Sequence, residues 1–348
     1  MQHVGLDVHT KHTDLCALDD ETGEITQRHQ VATGELATAI ASIPGEKVVA
    51  LETGRQSWFV ARELQTLPQT TVHVVDAFRS HRALDGMHRG RKNNKLDAWG
   101  LAYLCYERRA ARMAVWLVDS AGHDLRTLTR TYVVMVRQST AVRNRIRSLL
   151  TAHGMACEAT DLTGVKGQCE LQAMLPRLPK EAQFCLLHLN ELLLHVKAGV
   201  TDCHKRVEKA ANGNSTCQLL QSIGGCGPIL AAIIVAEIAD YRRFHNAAAL
   251  RCYAGLTASI FETGDHRSHG KLVKGNGYLK YALVMLADHV KSHEQFEGTR
   301  LRRRYYRCLH KHGPQPAHID LARQLCDIIY AMMRNGTTYT PLLVSDQA

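Results

Sequence analysis

Three carboxylates in this chain stand where a carboxylate is costly. Asp7 interrupts the apolar run VGLDV, Glu52 closes the valine-rich run KVVALE, and Asp97 lies in KNNKLDAWGLA. A buried carboxylate is expensive unless it is paired or bound to a metal. Two of these residues fall on strand-like segments and one on a helical segment, so all three can meet at one sheet edge. Hard oxygen donors suit Mg2+. Two such ions about 3.5–4 Å apart clamp the attacking and leaving oxygens of a phosphodiester. The same Asp7 also suits the metal of a nucleotide in a sugar-kinase fold, but no second glycine-rich phosphate loop with a late Asp accompanies it.

Other residues offer weaker chemistry. The turn Gly224-Gly225-Cys226-Gly227 leads into an apolar helix whose free N–H groups can hold a phosphate, or serve as a plain helix–helix turn. His266 and His269 have metal-like spacing but no Cys or carboxylate at matching positions. Lys271, Lys274 and Lys280 suit contacts to a nucleic-acid backbone.

The elements that must position the three acids are legible in residues 1–110. VGLDV, TDLCALD and EITQRHQVA read as three consecutive strands, the last two separated by the turn Asp19–Gly23. Short polar turns make them antiparallel. A helix over 35–43 ends at Pro44-Gly45. KVVALE (47–52) and TVHVVDA (71–77) are valine-rich, as buried parallel strands are. Helices are expected over 57–67 and 94–105. The order βββαβαβα is that of a ribonuclease-H-like α/β domain, in which the first and fourth strands are neighbours. An actin-like sugar-kinase fold begins in the same way.

The middle of the chain carries two heptad stripes. One runs Leu125, Leu128, Tyr132, Met135, Ser139, Val142, Ile146, Leu149; the other runs Leu186, Leu189, Leu193, Val196, Val200, Cys203, Val207, Ala210. Each predicts a long helix with a coiled-coil seam, and an antiparallel pair would satisfy both. A plain bundle core explains the same stripes. No Asp or Glu occurs from Leu125 to Cys157, while Arg126, Arg130, Arg137, Arg143, Arg145 and Arg147 lie off the stripe. One-signed charge over that length is expected to track phosphates. From Cys217 a mainly α region follows, with 251–277 read as a polar loop. The segment GTRLRRRYYRCLHKHG holds six Arg or Lys, Arg302, Arg303 and Arg304 among them, and two tyrosines suited to base stacking. A solvated basic helix is the plainer reading. The domain boundaries expected are 1–115, 120–212 and 215–340.

Composition agrees. The chain has 348 residues, 45% hydrophobic, with a formal net charge of +10. That is globular and favours a polyanionic partner. Its 11 scattered cysteines and the polar start MQHVGLDVHTKHTD predict reduced thiols in a cytoplasmic protein, with no structural zinc and no membrane.

GLDVHTKHTDLCALD, ALETGRQSWFVARELQ, VHVVDAFRSHRALDG and KNNKLDAWGLA, in that order, resemble the acidic domain of the insertion-sequence 110 family of transposases. The later I-x-G-x-G turn, the Arg-Phe pair, Y-A-G-L and K-G-N-x-x-L resemble the family's second domain, so the resemblance spans nearly the whole chain. It implies a recombinase working on donor and target double-stranded DNA and guided by a structured noncoding RNA. It further implies a bacterial, nucleoid-associated setting, a dimer or tetramer, and a DEDD metal site joined to a serine nucleophile between protomers. Mapped onto this chain, the acidic set falls on Asp7, Glu52, Asn94 and Asp97. Asn94 therefore stands where the family has its third acid. It offers one neutral carbonyl oxygen, and the site loses one negative charge. The nucleophile's place falls on Thr263 in FETG, where the family has serine. Threonine keeps the hydroxyl but adds a methyl that crowds an in-line attack. The alternative these two departures imply is a weakened or inactive member that binds RNA and DNA without strand transfer.

Overall fold

A computed structural model describes residues 1–88, 93–263 and 266–343, with the side chains of 86–88 and 260–269 outside that description. The chain forms two compact units, Met1–Leu117 and Val118–Ala348.

The first unit is mixed α/β. Its elements are β1 (Gln2–Val8), β2 (His12–Asp19), β3 (Ile25–Ala32), α1 (Leu36–Ser42), β4 (Lys47–Glu52), α2 (Ser57–Leu64), β5 (Thr70–Val75), α3 (Ala77–His88), α4 (Asn94–Tyr106) and α5 (Ala110–Met113). The five strands stand in the order β3-β2-β1-β4-β5. β1, β2 and β3 pair antiparallel, whereas β4 runs parallel to both β1 and β5. The first and fourth strands are thus neighbours, as expected.

Alternation along the strands divides the side chains between two faces. Val4, Leu6, Leu15, Val49, Leu51 and Val74 pack with α1 and α2 residues such as Ile40 and Leu64. On the other face Cys16, Leu18 and Ala50 meet α4 through Ala98, Leu101 and Ala102. Two helical readings are corrected. α2 stops at Leu64, since Pro68 biases the preceding residues away from helix and Gln69 takes a positive φ of 52°. α3 was not expected, because its sequence AFRSHRALDGMH is polar on average and has no apolar run to announce it.

The second unit is mostly helical. It contains α6 (Ser120–Ala152), α7 (Val165–Met174), α8 (Lys180–Asn212), α9 (Ser215–Leu220), α10 (Pro228–Ile238), α11 (Ala247–Tyr253), β6 (Ala258–Thr263), β7 (His266–Leu272), α12 (Gly277–Val290), α13 (Arg300–His312) and α14 (Pro314–Asn335). α6 and α8 lie antiparallel: Tyr132 meets His204, Met135 meets Cys203, and Ile146 and Leu150 share a core with Leu186. Thr129 and Val133 are buried beside the expected stripe, because α10 covers that end of α6 as well as α8. α10 is apolar all round and buried from Leu230 to Ile238, with α12 and α14 sharing its core. The stretch 251–277 is not a loop. Residues 258–272 form an antiparallel hairpin in which Thr263 pairs with His266 across the turn. Its strands carry too many polar residues to show a period-2 apolar pattern.

Candidate metal and strand-transfer site

Gly5 sets the geometry of the acidic site. A Cβ there would stand 2.0 Å from the Ala98 carbonyl oxygen and 2.3 Å from the Ala102 nitrogen. Only glycine lets α4 lie this close to β1. Two residues further along β1, on the same face, comes Asp7. Leu6 pairs with Leu51 in the parallel register, so Asp7 and Glu52 follow side by side on adjacent strands. Asp97 sits in the first turn of α4, whose N-terminus is capped by the Asn93 side chain accepting from the Lys95 N–H at 3.0 Å. A helix N-terminus favours a carboxylate there.

Burial and neighbouring charge act together on Asp7 and Glu52. Burial pushes the Asp7 carboxyl up, the charge of Asp97 adds to this, and a half-exposed His9 at 3.2 Å opposes it. Glu52 is likewise raised, first by desolvation and then by Asp97 and Asp7. Glu52 is exposed at the end of β4, and its carboxylate accepts from the hydroxyl of Ser80, a fully buried residue of α3. Ser80 was missed in the sequence. Its only sign was a serine four residues after Asp76, inside VDAFRSHRALDG. Asn94, the first residue of α4, is exposed. Asp14 is a further acid at the site: it lies directly across from Asp7 in the β1–β2 register and is buried.

In the second unit Thr263 ends β6, and its side chain lies outside the described residues, as do those of His266 and His269. What anchors this hairpin is described. The backbones of Gly255 and Gly275 touch, and a Cβ on Gly275 would come within 2.3 Å of the Gly255 nitrogen. Asn276 caps α12 with its side-chain oxygen, and its amide donates to the Tyr253 hydroxyl at 2.9 Å and to Glu237 at 2.7 Å. Glu237 is fully buried and takes a two-pronged ion pair from Arg130 at 2.7 and 2.8 Å. The K-G-N stretch thus meets this carboxylate directly, Tyr253 of Y-A-G-L is tied in through Asn276, and Arg243 of the Arg-Phe pair donates to the Glu237 backbone carbonyl at 3.1 Å.

Several basic residues expected to face nucleic acid are engaged within the chain. Arg126 donates to the Ala236 carbonyl at 3.1 Å and Arg130 to Glu237. Arg147 donates to the Ala159 carbonyl at 2.7 Å, and Arg304 to Asp320 at 2.8 and 3.0 Å. Arg137 is exposed and lies over the rings of Tyr278 and Tyr281. Arg143 and Arg302 are half-buried, whereas Arg303, Lys271 and Lys274 are exposed. Tyr305 is buried, which leaves Tyr306 as the tyrosine of that pair open to stacking. The Gly224 N–H donates to Gln295 and the Cys226 N–H to Ile223, so two donors of the glycine turn are taken up within the protein.

A transposase model of the DEDD, IS110 type matches residues 4–155, and a model described as the transposase IS116/IS110/IS902 family matches residues 217–306. The chain belongs to the IS110 family of transposases. Among its relatives is the transposase for insertion sequence element IS1111A of Coxiella burnetii (strain RSA 493 / Nine Mile phase I). That protein is 25% identical over 354 residues, which cover 97% of this chain and 90% of the relative. The putative transposase y4pF/y4sB of Sinorhizobium fredii (strain NBRC 101917 / NGR234) is 23% identical, over 57% of this chain and 53% of its own length. The insertion element IS110 uncharacterized 43.6 kDa protein of Streptomyces coelicolor (strain ATCC BAA-471 / A3(2) / M145) is 32% identical over 35% of this chain and 29% of its own length. For these last two the match spans about half of the relative or less. Membership makes DNA the substrate and DNA transposition the reaction class, and the acidic set of such an enzyme suits a divalent metal. Among the described residues no helix is long and apolar enough to cross a membrane.

Proposed function

We propose that this IS110-family transposase exchanges DNA strands under the guidance of a structured noncoding RNA, using Mg2+ at the acidic site and the Thr263 hydroxyl as nucleophile. The observation that carries the reading is the convergence of Asp7, Glu52 and Asp97 from β1, β4 and α4, where the charge of Asp97 disfavours the ionisation of Asp7 and Glu52, and that of Asp7 the ionisation of Glu52. Carboxylates held together at such a cost fit a dication that neutralises them. When bound, Mg2+ supplies charge stabilisation at the phosphate under attack. The protein's own part is to hold the acids: Ser80 orients Glu52, and the α4 N-terminus favours Asp97. Asn94 is assigned as a weak neutral donor at the rim.

The proposed organisation is a ribonuclease-H-like domain over 1–115, a coiled-coil helix pair over 120–212 and a second domain over 215–340. The nucleic-acid contacts are assigned to Arg137, Arg143, Lys271, Lys274, Arg302 and Arg303, and the working form to a dimer or tetramer. The Gly255–Gly275 contact and the Asn276 cap fix the base of the hairpin that ends β6 at Thr263.

The test is the covalent protein–DNA adduct formed with Mg2+, the flanking noncoding RNA and its matching DNA. The native chain is expected to form it, and both Thr263→Ala and Asp7→Asn to lose it. The two departures at Asn94 and Thr263 favour a second reading, a protein that binds both nucleic acids without cutting. In that case only the Asn94→Asp/Thr263→Ser double variant forms the adduct.

A further inference from the structure

The acidic site contains a carboxylate that the DEDD set does not include. Asp14 lies directly opposite Asp7 across the antiparallel β1–β2 pair. Like charges facing each other across a sheet are destabilising. Asp14 is only 5% exposed. Its hydrogen bond is a long one, from the neutral amide of Gln30 at 3.3 Å. Among the described residues no lysine or arginine forms an ion pair with it. Arg28 lines the same cleft but donates to the Lys95 carbonyl at 2.7 Å. A buried carboxylate facing another carboxylate, with one weak neutral donor, lacks the compensation such a group needs.

The missing partner has a place to sit. One ligand atom each from Asp7, His9 and Asp14 lie within 4.8 Å of one another. The set brings two negative charges and one imidazole nitrogen, which matches the charge of one dication.

We propose that Asp14 and His9 join Asp7 in holding one divalent cation, so that the charge absent at Asn94 is supplied from β2. An imidazole donor also shifts preference from Mg2+ towards Mn2+. This assignment rests on the metal-site reading above, and its test separates the two.

Mn2+ binding to the full chain is titrated by electron paramagnetic resonance without DNA or RNA, and metal-free melting is recorded for each variant. Asp14→Asn, which keeps the shape and the Gln30 contact, is expected to weaken Mn2+ binding by about tenfold or more. Its metal-free melting temperature is expected to rise, since the like-charge pair is gone. His9→Ala, at an exposed position that tolerates truncation, is expected to weaken Mn2+ more than Mg2+. If Asp7→Asn loses Mn2+ while Asp14→Asn and His9→Ala bind as the native chain does, the assignment is wrong and the DEDD reading stands. If Asp7→Asn also binds as the native chain does, the metal-site reading falls with it. A lower metal-free melting temperature for Asp14→Asn with unchanged Mn2+ affinity makes Asp14 a structural hydrogen-bond partner and overturns the proposal.

Discussion

Glu237 and Asp7 are both carboxylates set among packed side chains, and their surroundings push them in opposite directions. Around Glu237 burial opposes ionisation, but the Arg130 fork, the Asn276 amide and the charge of Arg126 outweigh it and hold the carboxyl below its ordinary range. Around Asp7 burial also opposes ionisation, and the nearby acids add to the cost, with His9 the opposing group. The second unit therefore contains a completed ion pair, and the first an incomplete one. A completed pair is a brace, because removing either member strands the other. The contrast separates a carboxylate whose charge its neighbours answer from one whose neighbours oppose it, although both read in the sequence as an acid inside an apolar run.

The largest expected effect tests the brace. Glu237→Gln leaves the part-exposed Arg130 without its anion, and losing charge-assisted hydrogen bonds of this kind costs about 1.5–3 kcal/mol. Denaturant unfolding should show that loss at neutral pH. The sign with pH follows from the depressed carboxyl. Its contribution is full above the ordinary value of 4.5 and is lost as pH falls through the lower folded value, so the gap between native and variant should close in acid. A gap that persists unchanged in strong acid would mean that the ion pair is not what the substitution removed.

A middle-sized effect comes from the close backbone approach in each unit. Gly5→Ala forces α4 away from β1, and overpacking of this kind costs about 1–3 kcal/mol. It should also weaken Mn2+ binding, because Asp97 rides on α4. Gly275→Ala strains the Gly255 contact by a similar amount and should leave Mn2+ binding as it is. Equal loss of metal affinity in both variants would erase the distinction between the two regions.

The smallest effect is a gain. Asp7→Asn removes a carboxylate from the like-charged cluster, and a facing like-charge pair costs about 0.2–1 kcal/mol. In the absence of metal the variant should melt slightly higher than the native chain at pH 7. Asp7 has a raised carboxyl, so its ionisation costs stability as pH rises through that folded value. The advantage of the variant should accordingly vanish as the pH is lowered. Added Mn2+ should reverse the order, stabilising the native chain alone.

Much of the first unit was readable because strand alternation and valine-rich runs report burial directly. KVVALE corresponds to β4 residue for residue, and the three antiparallel strands followed from the short polar turns. Ser80 escaped, since nothing local distinguishes a serine facing Glu52 from one facing water. The hairpin ending at Thr263 escaped because its strands are too polar to alternate. Arg126 and Arg130 show the limit most clearly. Their one-signed run suggested an outward phosphate track, yet their partner Glu237 lies more than a hundred residues away in sequence.

The sequence by itself carried most of the order of elements, which depends on residue type and local period, and its resemblance to the family proposed the three acids and the two departures at Asn94 and Thr263. Tertiary structure alone decided which charges meet. It set Asp14 against Asp7 by strand register and turned Glu52 towards Ser80. It also closed Arg130 on Glu237, because the energy of a buried charge is fixed by neighbours that only the folded chain assembles.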